Sequence, residues 1–502
     1  GSEMCIRDRS FTARYDGISR LKDNRWGFFP GVSVGWNIME EDFWKESKVS
    51  DIVSNLKPRL SYGVNGNVNG IGNYEVYGEY AQVDAKTYGG ATALYNKKLL
   101  NTNLRWEQSQ TFEVGLDIGF LQNRLSFILD FYSRRTKDLL TKQALPGYTG
   151  FSDIVTNMGT LRNSGFEAEV KANIINKGGF TWDMTANITS VANKIISLPY
   201  NNVENNRVGG YEVAAGKVDA DGKFPTKWIA GRQEGGKLGE LVGYRQQHVF
   251  KDWDDVKQHA NLRVDEVANL YGPGLADQIN PATGKTYKES SGWQPIEPGD
   301  ACWEDINGDN IINGYDRSVM GNIFPNVTGG FSTTFGYKGL SLYARFDYAL
   351  GHTLYNDLKA RSLGQYQGQF NIITDVKDMW SEANPNSDLT KFYYADQLAK
   401  KNITRSNNAS TAADNNSSRY YEKGDYLALR EITLSYQLPK SLISKAHLTE
   451  ASVYVTGQNL FYITGYDGVS PEPAVSTTYG RGIDNGRYPT PRTFLFGLSL
   501  TF

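Results

Sequence analysis

No run of about 18 or more apolar residues occurs in the chain, so it contains no helix able to cross a bilayer. Strands that cross a membrane alternate in polarity and leave no such run, so a membrane barrel is not excluded. Cysteine is scarce: only Cys5 and Cys302 occur among 502 residues. Two are too few for a disulfide framework or a cysteine-built metal centre. Charge imbalance is missing too. A formal net charge of −2 provides neither a basic surface for nucleic acid nor an acidic tail. The four histidines, His248, His259, His352 and His447, stand in no HExxH or triad-like pattern and read as surface or loop residues. The stretch GGKLG (235–239) fits no phosphate loop and opens no helix. Carboxylates are plentiful, but no local motif marks a catalytic pair. The chain carries no catalytic signal and reads as a non-enzyme.

Aromatic residues, by contrast, are abundant, with 31 Tyr, 23 Phe and 10 Trp, and they fall in alternating segments. In TFEVGLDIGF, Phe112, Val114, Leu116, Ile118 and Phe120 share one face of a strand, while Glu113 and Asp117 share the other. Phe166, Ala168, Val170 and Ala172 oppose Glu167, Glu169 and Lys171 in the same way. The pattern recurs around Val32–Trp36, Leu56–Val64, Leu125–Phe131, Trp182–Ile188, Leu340–Tyr348 and Ile432–Leu438, and again over Val453, Val455 and the last residues. Segments of about 9–12 residues suit a tilted membrane strand, whereas soluble strands average about 5–6. Full charges on the polar face place water on that side and an apolar medium on the other.

Connections alternate in length. Tight turns fall at Leu121–Arg124, Asn176–Gly179 and Tyr337–Gly339, and long loops at 65–103, 138–158, 198–238, 250–326, 351–418 and 465–490. This asymmetry is that of outer-membrane barrels. Within the loops, Trp253–Leu262 and Ile372–Ala383 read as helical. Trp26, Tyr62, Trp106, Tyr132, Trp182, Tyr337, Tyr348 and Tyr436 lie near strand ends, as interfacial girdles require. The fold expected is all-β: a transmembrane antiparallel barrel contributing roughly 14 strands. A soluble β-rich carbohydrate-binding protein is the bland alternative.

Several long motifs resemble one family. They include RYDGISRLKDNRWGFFPGVSVGWNIMEEDFW (14–44), NLKPRLSYGVNGN (55–67), LRNSGFEAEVKANI (161–174), YLALREITLSYQLP (426–439) and PRTFLFGLSLTF (491–502). LRWEQSQTFEVGLDIGFLQNRLSFILDFYSRRTKDLL (104–140), the stretch 303–342 and YVTGQNLFYITGYDGVSPE (454–472) belong to the same series. Together they resemble the SusC/RagA-type TonB-dependent outer-membrane transporters. The resemblance implies the C-terminal part of a plugged, 22-stranded barrel in the outer membrane. It implies import of oligosaccharides or peptides with a SusD-type surface lipoprotein, and energy from the TonB complex through an N-terminal part without counterpart here. A structural or adhesin barrel is the alternative within the membrane class. Residues 1–9, GSEMCIRDR, continue no pattern and read as adapter-derived; the barrel domain is taken as residues 10–502.

Two stretches are candidate sites. In DINGDNIINGYD (305–316), Asp305, Asn307, Asp309, the Ile311 carbonyl and Asp316 fall at EF-hand-like spacing, with Asn313 at a further ligand position. Calcium is therefore the one candidate cofactor. Asn310 stands where such loops carry glycine, and Asp316 where they carry the longer glutamate. The same residues also suit an Asx-rich turn closed by its own hydrogen bonds. At the C-terminus, Phe494, Phe496, Leu498, Leu500 and Phe502 form one lipid-facing stripe. Its terminal phenylalanine resembles the signal read by the barrel-assembly machinery. Loop aromatics Tyr74, Tyr77, Tyr80, Trp228, Trp253, Trp293, Tyr355, Tyr393 and Tyr394 are candidates for gripping ligand, or for packing the loops.

Overall fold

A computed structural model describes residues 6–88, 91–265, 270–290, 294–360, 362–363, 373–392, 417–472, 475–476, 480–486 and 488–502. One antiparallel sheet of twelve strands dominates it, its order following the chain. The strands are β1 (Arg7–Gly17), β2 (Trp26–Trp36), β3 (Val53–Asn67), β4 (Glu107–Phe120), β5 (Leu125–Lys137) and β6 (Thr160–Lys177). Then follow β7 (Phe180–Ser197), β8 (Val327–Tyr337), β9 (Leu340–Leu350), β10 (Tyr426–Gln437), β11 (Glu450–Thr464) and β12 (Thr493–Thr501). β1 begins three residues inside the segment set aside as adapter-derived: Arg7–Arg9 pair with Trp36–Val34. Backbone pairing accepts almost any sequence, so it does not speak to where those residues come from.

The sheet has twelve strands where roughly 14 were expected. The stretch 239–249 separated two loops in the sequence reading. It forms Glu240–Tyr244 and Gln246–Val249, which pair with Arg317–Asn322 and Ala301–Trp303 inside one connection, 198–326. The expected helices are shorter than their patterns: Trp253–Gln258 is helical, and Thr374–Asp378 is a 3-10 turn.

At one end of the sheet three connections are tight, 121–124, 178–179 and 338–339, and the other two, 37–52 and 438–449, are short helical turns. β6 and β7 are joined by Gly178 and Gly179, both at positive φ (64° and 80°), a hairpin geometry that glycine adopts without strain. At the other end, the connections pack into small cores of their own. The largest gathers Tyr244, Phe250, Val256, Leu270, Trp303 and Ile312 within 198–326. A second joins Tyr355, Met379, Tyr420 and Ile483 from the last two long connections.

The two faces of the sheet differ as the alternation requires. Phe11, Phe28, Val32, Leu60, Phe112, Val114, Phe131, Leu434, Val455, Phe494 and Phe496 are exposed on one face, Phe496 at 79%. Neighbouring rings meet across strands there: Phe131 on Phe166 at 4.7 Å, Phe331 on Phe346 at 4.7 Å, Trp182 on Phe335 at 5.4 Å. A soluble monomer rarely exposes an apolar patch beyond a few hundred Å². A continuous aromatic-aliphatic face of this extent is stable against lipid. Among the described residues no helix is long and apolar enough to cross a membrane.

Of the girdle residues, Trp26, Tyr62, Tyr337 and Tyr436 are exposed among the outer-face apolar residues. Tyr132 is a correction. It pairs with Gly165 beside Asp130 and Glu167, so it belongs to the inner, charged face. The apolar set of β5 is odd-numbered, from Leu125 to Phe131, and an even-numbered tyrosine points the other way.

Candidate functional site

The inner wall is built by cations that reach across glycines. Gly35, Arg59, Gly115 and Asp130 lie in one lateral row across β2, β3, β4 and β5. With no side chain at Gly115, the Arg59 guanidinium lies over that position. It contacts Asp117 and Asp130 at 2.9 Å and Glu113 at 3.7 Å. Lys57 uses the space over Gly35 in the same manner and reaches Asp8 at 3.0 Å. Each cation therefore ties strands that are not neighbours.

A second cluster sits on β10. Leu429 pairs with Phe346 and Glu431 with Arg345, which leaves Arg430 as the extra residue of a bulge. A bulged residue escapes the alternation and can be aimed. Arg430 donates to Asp347 on β9, to the Tyr462 hydroxyl on β11 and to Glu472 beyond β11. Tyr462 also donates to Glu472 at 2.9 Å. One residue earlier, the Pro471 carbonyl accepts from Nε2 of His352 at 2.8 Å. His352 is 1% exposed, so of the surface or loop places expected it takes the loop one, as an internal tie. Thr185, Asn187, Ser332, Arg345, Asp347 and Arg430 line a cavity of about 430 Å³ in this wall.

The candidate calcium residues do come together in one loop. Asp305 accepts from the amides of Gly308 and Asn310, at 2.7 and 2.8 Å, and Asp309 from Ile311 at 2.7 Å. The side-chain oxygen of Asn307 accepts from Asp309 at 3.3 Å. Asp316, fully buried, accepts from Ile306 and Asn313 at 2.8 and 2.9 Å. Burial raises its carboxyl to about 6, against the pull of those two amides. Asn310 is left-handed, φ 63°, as its place in the loop requires. Ile311 opens a short strand, Ile311–Ile312, parallel to Arg263–Val264. These bonds are those of the Asx-rich turn that the sequence allowed beside a calcium loop. Among the described residues, no three histidine, cysteine or carboxylate side chains form a group placed to hold a metal ion.

Loop aromatics divide. Tyr74, Tyr80 and Trp253 are exposed, whereas Tyr355 is 2% exposed and packs on Tyr421. Trp228 is covered by the Arg207 guanidinium, 4.0 Å from its ring. Trp293, Tyr393 and Tyr394 lie outside the described residues. At the C-terminus, β12 pairs with β11, and Phe494, Phe496, Leu498, Leu500 and Phe502 are all exposed on the outer side.

Sequence reasoning missed the role of Arg430. The signal was present: the apolar set is odd-numbered through Leu427 and Leu429, then even-numbered from Ile432. Such a change of phase marks a bulge.

The wall, the apolar exterior and the one-sided loops agree with the comparisons. A family model described as TonB dependent receptor-like, beta-barrel, matches residues 10–294, more than half of the chain. The chain belongs to this family. TonB-dependent receptor P3 of Formosa agariphila is 29% identical over 501 residues, covering 98% of this chain and 44% of its own length. TonB-dependent receptor SusC of Bacteroides thetaiotaomicron is 30% identical over 508 residues, covering 98% and 42%. The chain thus spans less than half the length of the curated relatives it matches. Among solved structures, the RagAB peptide transporter superposes with a TM-score of 0.69 at 22% identity, over 99% of this chain and 46% of that one. This likeness shows the fold. TonB-dependent receptor barrels are outer-membrane transporters rather than enzymes, and the apolar outer face of the sheet suits that setting.

Proposed function

We propose that this chain forms the barrel wall of a SusC/RagA-type importer of oligosaccharides or peptides, capped by a SusD-type lipoprotein and driven by the TonB complex. One observation supports the reading most: a sheet apolar outside carries a charged, cavity-bearing inner wall, tied by Arg430 and His352 to the loops at one end. A purely structural barrel has no need of a polar wall linked to its loops. The outer stripe of Phe494, Phe496, Leu498, Leu500 and Phe502 serves, in this reading, as the signal for the barrel-assembly machinery.

Uptake by cells tests the proposal. Cells carrying the complete receptor should take up labelled oligosaccharides or labelled peptides, and a protonophore should abolish the uptake. The class of label accumulated identifies the cargo. Equal accumulation of both labels by cells with and without the receptor would overturn the transport reading.

A further inference from the structure

The two longest connections, 198–326 and 351–425, meet along a seam. The Trp380 indole N–H donates to the Lys251 carbonyl at 3.2 Å, and the Lys391 amide to the Gly299 carbonyl at 2.8 Å. The Lys391 ammonium pairs with Glu297 at 2.8 Å. A groove of about 590 Å³ runs beside these contacts, with Trp253 and Pro298 from one connection and Trp380 and Pro385 from the other among its lining. Small-ligand sites commonly enclose about 300–1,000 Å³. Trp253 is 54% exposed, so packing of the loops does not account for it as it does for Tyr355. We propose that this groove binds a neutral oligosaccharide, with Trp253 and Trp380 offering indole surface to the sugar rings. Its purpose rests on the import reading; its ligand rests on the groove itself.

A sugar ring has two kinds of surface. Its C–H faces are apolar and pack on flat aromatic rings, while its hydroxyls both donate and accept. The groove answers both. The one polar atom of the Trp380 indole is spent on the Lys251 carbonyl, which fixes the ring and leaves the remainder as apolar surface. Lys251 and Glu382 also line the groove and are exposed, so an ammonium and a carboxylate stand within it for hydroxyls. The lining charges nearly cancel: three carboxylates, Asp252, Glu297 and Glu382, stand against two ammonium groups, Lys251 and Lys391. Such a groove exerts no net attraction on a polyanionic glycan, and a neutral one suits it. A peptide is the poorer occupant. Peptides laid on a protein draw much of their affinity from main-chain hydrogen bonds to free backbone groups. Here the amides of Lys251, Glu297, Trp380 and Lys391 already donate within the loops, at 3.1, 2.8, 3.0 and 2.8 Å. Pro298 and Pro385 have no amide hydrogen to give.

The test applies the complete receptor, purified in detergent, to an array of neutral and acidic oligosaccharides and to a peptide library. Binding of neutral oligosaccharides is expected, and the strongest binder should change the tryptophan fluorescence. Trp253→Ala should weaken that binding about tenfold or more, and Trp253→Phe, which keeps an aromatic face, should lose less. Because Trp253 is exposed, both variants should melt as wild type does. Failure of every neutral oligosaccharide to bind would overturn the site, as would selection of peptides or acidic glycans alone. Undiminished affinity in Trp253→Ala would overturn it too. Uptake by cells keeps the two readings apart. Sugar binding that needs Trp253, without receptor-dependent uptake, overturns transport and upholds the site. Receptor-dependent uptake with sugar affinity unchanged in Trp253→Ala overturns the site alone.

Discussion

Replacing Gly115 with alanine should loosen the wall although it adds a single methyl group. A Cβ at Gly115 would lie 2.4 Å from Asp130 Oδ1 and 2.7 Å from Arg59 Cζ. Both atoms end mobile side chains and can retreat, but retreat breaks the contacts that hold Arg59 over the strand. A hydrogen bond to a charged group is worth about 1.5–3 kcal/mol net when buried, and an exposed ion pair about 0–1. The Arg59 side chain is 31% exposed, and those of Asp117 and Asp130 are 24% and 21%. The cluster falls between these limits, and about 2 kcal/mol for its loss is a fair working figure. Removing a strand glycine returns about 0.5 kcal/mol of backbone entropy. The net cost is then about 1.5 kcal/mol.

Gly63 supplies the control. It belongs to β3, four residues along from Arg59 and hence on the same face, and a Cβ there meets nothing within 4 Å. Gly63→Ala should be neutral or stabilising by about 0.5 kcal/mol. Denaturant unfolding of the receptor in mild detergent should therefore separate the two alanine variants by about 2 kcal/mol. In an Arg59→Gln background the Gly115→Ala cost should fall by about half or more, because the two positions share one interaction. Equal stability of Gly115→Ala and Gly63→Ala would refute the reasoning.

Three further outcomes are expected. Burial lifts the Asp316 carboxyl to about 6 in the folded loop, against about 3.9 when unfolded. The folded state therefore holds more protons between these values, and the Asp316 contribution is fullest below about pH 4 and falls as pH rises through about 6. Asp316→Asn should accordingly gain on wild type in melting temperature between pH 4 and 7; a constant difference would count against a raised carboxyl. Because Asp305, Asp309 and Asp316 already accept backbone amides, a calcium chelator should leave melting unchanged, and a rise of several degrees on adding calcium would establish the cation instead. Cys302, 1% exposed with its thiol pushed up to about 12 by burial, should resist alkylation in a Cys5→Ser chain until the loop core unfolds.

What the sequence disclosed follows from range. Two-residue alternation is local, so the two faces of β4 and β6 were legible directly, and β12 with them. The turn chemistry of Gly178 and Gly179 and the left-handed Asn310 were legible for the same reason. Tyr132 was misread because its place near a strand end was weighed above its parity. The loops were harder. Glu240–Val249 lies between two loops in the sequence, and only its partners, Arg317–Asn322 and Ala301–Trp303, decide that it belongs to a loop core. Arg430 and Glu472 lie 42 residues apart, and Arg59 and Asp130 lie 71 apart. No local period joins such residues, since the pairing of whole strands does. The phase change beside Arg430 nevertheless shows how a long-range site can leave a local trace. Where alternation slips by one residue, the side chain at the slip is released from both faces. A charged residue there is a candidate for a contact that the regular sheet cannot make.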